Sequence, residues 1–322
     1  MFLEAEPRCA ATKFEGFTTL GVRMYVVTGA TGHTGSVIAK RLLAQGKKVR
    51  VVGRSAERLS SLVSLGAEPF VADISNKEAI TRVFSGADAA YAMIPPDLAN
   101  PDYAAYQDKV IEAIASALEK GVPAHVMALS SFGADKPDKT GPIAGLHRME
   151  KRLKRISGLN ALYVSAGYFM ENTLPQIGVI QQMGATAGPL NSDLKVPMIA
   201  TRDIGTFAAN ELLRLEFRGH ETQELLGQRD LTMTEVTAVI GKAIGKPELQ
   251  YRQITYDQFR AVLMQMGASQ GIADMFVEMS EALNSGHVRA LEARSQRNTT
   301  PTSYEQFVAE ELVPAYQASS AG

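Results

Sequence analysis

The sequence predicts an α/β fold built on a doubly wound parallel sheet, and three observations predict it. From Met24 onward, short apolar runs alternate with longer amphipathic ones. The short runs are apolar throughout rather than at every second residue, which is the pattern of strands covered on both faces. The segments between them are long enough for helical crossovers, the usual connection between parallel strands.

The first strand is expected over Met24–Thr28 (MYVVT) and the first helix over Gly35–Gln45. A strand over Val49–Gly53 and a helix over Ala56–Leu65 follow. Further strands are expected at Glu68–Ala72, Asp88–Ile94, His125–Leu129 and Ala161–Ser165, with helices between them at Lys77–Phe84, Tyr103–Lys120 and Leu146–Ser157. Beyond these the rhythm changes. Residues 175–196 are rich in small and flexible residues and are expected to cover a cleft. Pro197–Ala200 reads as a short strand entering a capped helix through Glu211–Leu213, and Thr222–Leu226 reads as another core strand. Thr232 with Glu235 three residues on forms a capping box at the start of a further helix. Residues 256–287 carry Met264, Met266, Met275 and Met279 with Phe259 and Phe276. Methionines and aromatics at helical spacing are assigned to core packing, and a cleft lined by them would take a flat apolar ligand. Residues 1–23 show neither period and lack the features of a signal or transit peptide. They are read as a disordered extension, with Met24 an alternative start of translation.

Composition bounds the function. With 45% hydrophobic and 21% charged residues the chain is of ordinary globular type. Thirty-three Lys and Arg against 34 Asp and Glu give a formal net charge of -1, so no overall field recruits nucleic acid or an anionic membrane. One cysteine, Cys9, and five scattered histidines provide neither a disulfide framework nor a zinc-type spacing, which points to a reducing compartment. No apolar run approaches the roughly 18 residues of a membrane span. A cytoplasmic protein without a metal site is expected, in which any anion is held locally.

A local anion site is visible between the first strand and helix, in Gly29-Ala-Thr-Gly32-His-Thr-Gly35. Gly29 permits the tight turn, Gly32 lets backbone N–H groups approach a pyrophosphate, and Gly35 lets the helix pack close to the sheet. Three glycines alone are a weak signal, but these follow a strand and open a helix within a strand-helix-strand unit. A site for NAD usually places a carboxylate after the second strand, about 20 residues on, to hold the ribose 2′-OH. This chain has Gly53-Arg54-Ser55 there. A guanidinium beside a hydroxyl binds a 2′-phosphate that a carboxylate would repel, so NADP(H) is preferred over NAD(H). Arg58, one turn on, either assists or is a solvated helix charge.

At this point the residues resemble a family. The glycine loop, Arg54, Asp73-Ile74 after the third strand and Pro95-Pro96 after the fourth are similar to the NmrA-like group of atypical short-chain dehydrogenases/reductases. So are Ser157-Gly158-Leu159, Ala166-Gly167-Tyr168-Phe169-Met170-Glu171-Asn172, Asp203-Ile204-Gly205 and Thr300-Pro301-Thr302-Ser303-Tyr304-Glu305-Gln306-Phe307, so the likeness extends from Met24 to about Pro314. It implies a Rossmann core over about 24–174 and 197–227, with a smaller, mainly α C-terminal substrate lobe over about 175–196 and 228–322. Residues 24–322 then form a single unit with a cleft between the lobes. For the cofactor it implies Gly29, Thr31, Gly32, His33, Thr34 and Gly35 of the loop, Arg54, Asp73 on the adenine amino group with Ile74 beside the ring, and Ile94 with Pro95 along the nicotinamide ribose. It adds Lys151, and Gly167 with the Tyr168 loop closing over the nicotinamide. A bland alternative for Asp73 is a helix N-cap. Proline at 95 and 96 removes N–H donors, leaving carbonyl oxygens for any backbone contact.

Catalytic members of the wider family use a Ser after the fifth strand and a Tyr-x-x-x-Lys pair on the next helix. Here Ser130-Ser131 ends the fifth strand, but His147 stands in the tyrosine place, with Lys151 four residues on and on the same helix face. His147 either donates a proton to a reduced substrate, for which an imidazole's ordinary pKa of about 6.5 is suited, or lines the cleft without that duty. Lys151 either holds the ribose or belongs to a charged outer face with Arg148, Arg152, Lys154 and Arg155. A missing tyrosine makes alcohol and ketone chemistry improbable but leaves hydride transfer to a quinone or conjugated cation open. The expectation is an NADPH-dependent oxidoreductase acting on a small apolar electrophile, with His147, Lys151 and Ser130 at the site. The alternative is a non-catalytic NADP(H)-binding regulator of a protein partner.

Overall fold

A computed structural model describes residues 23–120 and 123–320. The extension expected over residues 1–23 lies outside the described residues except for Arg23. Along the chain, β1 (Met24–Val27) turns into α1 (His33–Ala44), then β2 (Lys48–Gly53), α2 (Ala56–Val63), β3 (Glu68–Val71), α3 (Lys77–Phe84), β4 (Ala89–Ala92), α4 (Tyr103–Leu118), β5 (His125–Ser131), α5 (Ile143–Leu153) and β6 (Asn160–Ala166). Next come β7 (Tyr168–Phe169), a 3-10 turn (Met170–Thr173), α6 (Gln176–Met183), β8 (Thr186–Gly188), β9 (Val196–Ile199), α7 (Thr201–Arg214), β10 (His220–Leu225) and β11 (Arg229–Leu231). The C-terminal part holds α8 (Met233–Ala243), β12 (Tyr251–Gln253), α9 (Tyr256–Gln265), α10 (Gln270–Asn284), α11 (Tyr304–Phe307), a π-helical turn (Val308–Leu312) and α12 (Val313–Ser320).

Seven strands form one sheet in the order β10-β6-β5-β4-β1-β2-β3, all pairs parallel. The order reverses between β1 and β4, which opens a crevice at the carboxyl ends of those strands. One face is covered by α1, α2 and α7, around Ile38, Leu42, Leu59 and Leu212. The other is covered by α3, α4 and α5, around Ile80, Phe84, Ile114 and Met149. Apolar runs on both faces therefore produce two cores, as the continuous patterning required. Neither edge strand fits that pattern. In β3, Glu68, Pro69 and Val71 are exposed, and the first three residues of β10 are exposed, so this is an edge strand rather than the expected core strand.

The second half departs further. Residues 175–196 contain regular elements, α6 and β8, and β8 pairs with β12. Tyr168 lies in no loop but in β7, which pairs with β9, and β9 pairs with β11. Two glycines allow the small sheet to meet the large one. At Gly167 a Cβ would stand 2.6 Å from the Pro197 carbonyl oxygen, and at Gly227, with φ of 72°, it would overlap the Met198 carbonyl. Helix α7 has no capping side chain of its own. The N–H and hydroxyl of Thr201 instead donate to Glu171 Oε1, at 2.9 and 2.5 Å. The methionine-rich segment is two helices of different character: α10 buries Ile272, Ala273 and Val277, whereas α9 buries no residue and leaves Met264 and Met266 exposed. Core packing holds for α10 alone.

Candidate active site

The turn after β1 has the shape that a dinucleotide needs. Gly29 adopts a φ of 60°, the N–H of Gly32 donates to its carbonyl at 2.9 Å, and a Cβ on Gly35 would overlap that same carbonyl. Helix α1 starts two residues earlier than the apolar pattern suggested, with Gly32 at its N-cap and no side chain on its free N–H groups. Among the described residues the N–H groups of His33, Thr34 and Gly35 have no partner, and Thr31, Gly32 and His33 are exposed. Backbone donors at an uncapped helix start form an anion site. The Thr34 side chain faces inward instead, with its hydroxyl 2.9 Å from the Tyr91 hydroxyl. Only its backbone is left for a phosphate.

The adenosine end is equally open. Arg54 is exposed and has neither a hydrogen bond nor an ion pair among the described residues, and the Ser55 hydroxyl, at the N-cap of α2, caps nothing. Asp73 does not cap α3; Asn76 does, accepting from the N–H of Ala79 at 2.8 Å. Asp73 Oδ1 accepts the N–H and the hydroxyl of Ser75, both at 2.9 Å, which leaves Oδ2 unspent. Arg54, Asp73 and Asp97 all lie within electrostatic reach of Tyr106, a residue of the first turns of α4 that the sequence did not mark. Burial pushes its phenol up to about 12, so the ring is neutral and packs on the core that holds Ile74 and Ile94. Both isoleucines are buried, and Pro95 is half-buried. These residues fit a phosphorylated dinucleotide: uncapped N–H groups, a close glycine turn, a free guanidinium and a free carboxylate oxygen.

The catalytic candidates are set by how α5 divides its faces. Arg148 pairs with Asp108, and Arg152 with Glu112 and Glu119, which fixes one face toward α4. Met149 and Leu153 enter the core under the sheet. The remaining face, with His147, Glu150, Lys151 and Lys154, lines a cleft of about 400 Å³ shared with Ser131 at the end of β5, with Ala134 after it, and with Ser165, Thr222 and Glu224 of β6 and β10. His147 Nδ1 lies 2.9 Å from the Ala134 carbonyl oxygen. A carbonyl only accepts, so Nδ1 carries the proton and Nε2 is the ring nitrogen left for chemistry.

Ser130 does not line this cleft. It is buried beneath it, donating to Glu150 Oε1 at 2.6 Å, and Glu150 Oε2 pairs with Lys154 at 3.2 Å. Lys154 also stands 5.1 Å from the centre of the Tyr163 ring. Lys151 lines the same cleft as Thr222 and Glu224 of β10. Gly167 spends its N–H on the Leu225 carbonyl at 2.9 Å. Tyr168 is half-buried, and its surroundings push the phenol up to about 12. Glu150, Thr222 and Glu224 were missed in the sequence because they meet across two elements far apart in the chain, α5 and β10; only the spacing of Glu150 from His147 hinted at a shared helix face. Among the described residues no cluster of three His, Cys, Asp or Glu side chains is placed to hold a metal, and no helix is long and apolar enough to cross a membrane.

The sequence profile of the NmrA-like family matches residues 23–308. Among curated proteins, the (4-alkanoyl-5-oxo-2,5-dihydrofuran-3-yl)methyl phosphate reductase of Streptomyces griseus is 30% identical over 82% of this chain and 88% of its own length. The NAD(P)H azoreductase of Xenophilus azovorans is 27% identical over 80% and 86%. Among solved structures, the NADPH-dependent quinone oxidoreductase of Escherichia coli, complexed with NADPH, shares the fold with a TM-score of 0.72 at 22% identity, covering 91% of this chain and 99% of that one.

Proposed function

The chain belongs to the NmrA-like family and is an NAD(P)H-dependent oxidoreductase, and we propose that it reduces a small conjugated electrophile, a quinone or azo compound, in the cleft beside His147. One observation carries the proposal. The uncapped start of α1 after β1 and the free Nε2 of His147 after β5 open at the same carboxyl edge of the sheet, two strands apart.

The chain's own residues then have separable tasks. The N–H groups of His33, Thr34 and Gly35 take the pyrophosphate, and Arg54 with the Ser55 hydroxyl takes the 2′-phosphate, which favours NADPH over NADH. Asp73 Oδ2 is the acceptor for the adenine amino group. The nicotinamide, when bound, supplies the hydride. His147, its tautomer fixed by the Ala134 carbonyl, delivers a proton from Nε2 in its charged form to an oxygen or nitrogen of the acceptor.

The test is consumption of NADPH with a panel of neutral quinones and azo dyes. Turnover is expected, and His147→Gln should lower kcat by roughly 10- to 100-fold while leaving the NADPH dissociation constant unchanged. Turnover unaffected by His147→Gln would remove its role. Tight NADPH binding without turnover of any acceptor would favour the regulator.

A further inference from the structure

The cleft beside α5 is bordered by a short irregular stretch of chain. Residues 288–292 follow α10 and run from the turn after β5 to the end of β10, with a fastening at each end. At the first, Val288 is buried, and two of its methyl groups stand 2.8 and 2.9 Å from the place a Cβ would take on Gly133, whose φ is 89°. Only a glycine leaves Val288 that room. At the second, the buried carboxylate of Glu224 accepts the N–H of Leu291 on both oxygens, at 3.0 and 3.1 Å, and that of Glu292 at 2.8 Å. Charge-assisted bonds to two successive amides hold a backbone that no helix or strand supports. Gly133, Glu224 and Leu291 all line the cleft. Leu291 is 63% exposed, and a single exposed leucine means little by itself. Here, however, its backbone is held by a buried carboxylate, and among the described residues that line the cleft it is the one large aliphatic side chain, the others being small, polar or charged.

We propose that residues 288–292 form a strap beside the acceptor cleft and that Leu291 determines specificity there, giving the ring of the acceptor its apolar contact, with Glu224 as the residue that positions it. The inference rests on the reading that this cleft takes the acceptor. A quinone or azo compound offers a flat apolar ring system and a few polar atoms. The polar groups of the cleft can meet the latter, but ring surface is stabilised only where an apolar side chain takes the place of water. Leu291 is that side chain. A contact residue on a held backbone loses less freedom on binding than one on a mobile loop, so the bonds of Glu224 raise the affinity that the contact gives. A second fused ring adds apolar area, so bicyclic acceptors gain more from Leu291 than monocyclic ones.

The experiment uses the full chain saturated with NADP+, so that a quinone binds without being reduced. The probes are duroquinone and its bicyclic analogue dimethylnaphthoquinone, both fully substituted on the quinone ring so that neither adds to a cysteine or lysine. In calorimetric titration Leu291→Ser is expected to weaken dimethylnaphthoquinone binding roughly 10-fold and duroquinone binding by less, and Leu291→Met should retain both. Glu224→Gln should weaken the bicyclic quinone as Leu291→Ser does and speed hydrogen exchange of the Leu291 and Glu292 amides, with the NADPH dissociation constant unchanged. The double variant should bind no more weakly than Leu291→Ser alone, because Glu224 acts through that side chain. Equal losses for the two quinones in Leu291→Ser, or none, would overturn the specificity role, and additive losses in the double variant would remove the part of Glu224. In steady-state assays with NADPH, Leu291→Ser should raise KM for the bicyclic quinone with kcat retained. Turnover with an unchanged KM sinks only the strap, whereas Leu291-dependent quinone binding without turnover of any acceptor supports the strap and sinks the reductase. Binding of neither quinone to the unaltered chain would overturn strap and acceptor cleft together.

Discussion

Arg54 is a guanidinium with neither a hydrogen bond nor an ion pair among the described residues, placed where a strand ends and an uncapped helix begins. Such a group is free to meet a phosphate and would gain little from any other neighbour. Arg54→Glu is therefore expected to weaken NADPH binding by roughly 10- to 100-fold, with little change for NADH, since a charged hydrogen bond is worth about 1.5–3 kcal/mol. Fluorescence titration of both cofactors checks it, and an unchanged ratio of the two affinities would show that the 2′-phosphate lies elsewhere. His147 makes the complementary point. Its residue type was legible in the sequence, but which nitrogen is free follows only from the Ala134 carbonyl, thirteen residues away along the chain.

The first N–H groups of the helices meet different fates: no side chain caps α1 or α2, whereas α3 and α7 are satisfied from different sources. In α3 the source is local: Asn76 caps the helix, and Asp73, three residues earlier, keeps an oxygen free. Asn76→Ala should thus cost about 1 kcal/mol of stability without touching cofactor affinity. Asp73→Ala should weaken NADPH binding with little loss of stability. Urea unfolding and cofactor titration on both variants separate the two roles. In α7 the satisfaction comes from outside, through buried Glu171, whose second oxygen has no partner. Burial raises its pKa above the ordinary 4.5, against the lowering effect of its bonds to Thr201. The folded chain then holds a proton that the unfolded chain has lost, so this contribution is fully present below about 4.5 and fades as pH rises through the raised value. Glu171→Gln keeps an acceptor for Thr201 and removes the titration. Melting temperature plotted against pH should fall less steeply above pH 4.5 in the variant; parallel curves would show that Glu171 does not contribute.

At the scale of the molecule, two sheets meet at a seam where there is no room for side chains. Gly227 combines a left-handed backbone with a Cβ position occupied by the Met198 carbonyl, and Gly167 meets Pro197 in the same way. Gly227→Ala should destabilise the fold by about 1–3 kcal/mol, as overpacking of a close contact does, with NADPH binding retained in the remaining folded fraction. A shift of the urea midpoint measures it. The same seam places β7 and Tyr168 next to β9, which is why a segment that reads as a loop is a strand. Two residues are too few for a pattern of alternation to show.

The sequence by itself determined the large sheet, the glycine turn and the capping box of Thr232 with Glu235. Each of these depends on residues within one or two turns or strands, where periodicity and short-range hydrogen bonding dominate. The tertiary structure decided what each side chain of α5 meets. The helix pattern gave His147 and Lys151 a common face, but the direction of that face was fixed by the ion pairs of Arg148 and Arg152 with α4. It also decided that Ser130 lies beneath the cleft and that Glu171 caps α7. These pairings join residues 20 and 30 positions apart, with partners chosen by packing and by the desolvation of buried charge rather than by any local rule.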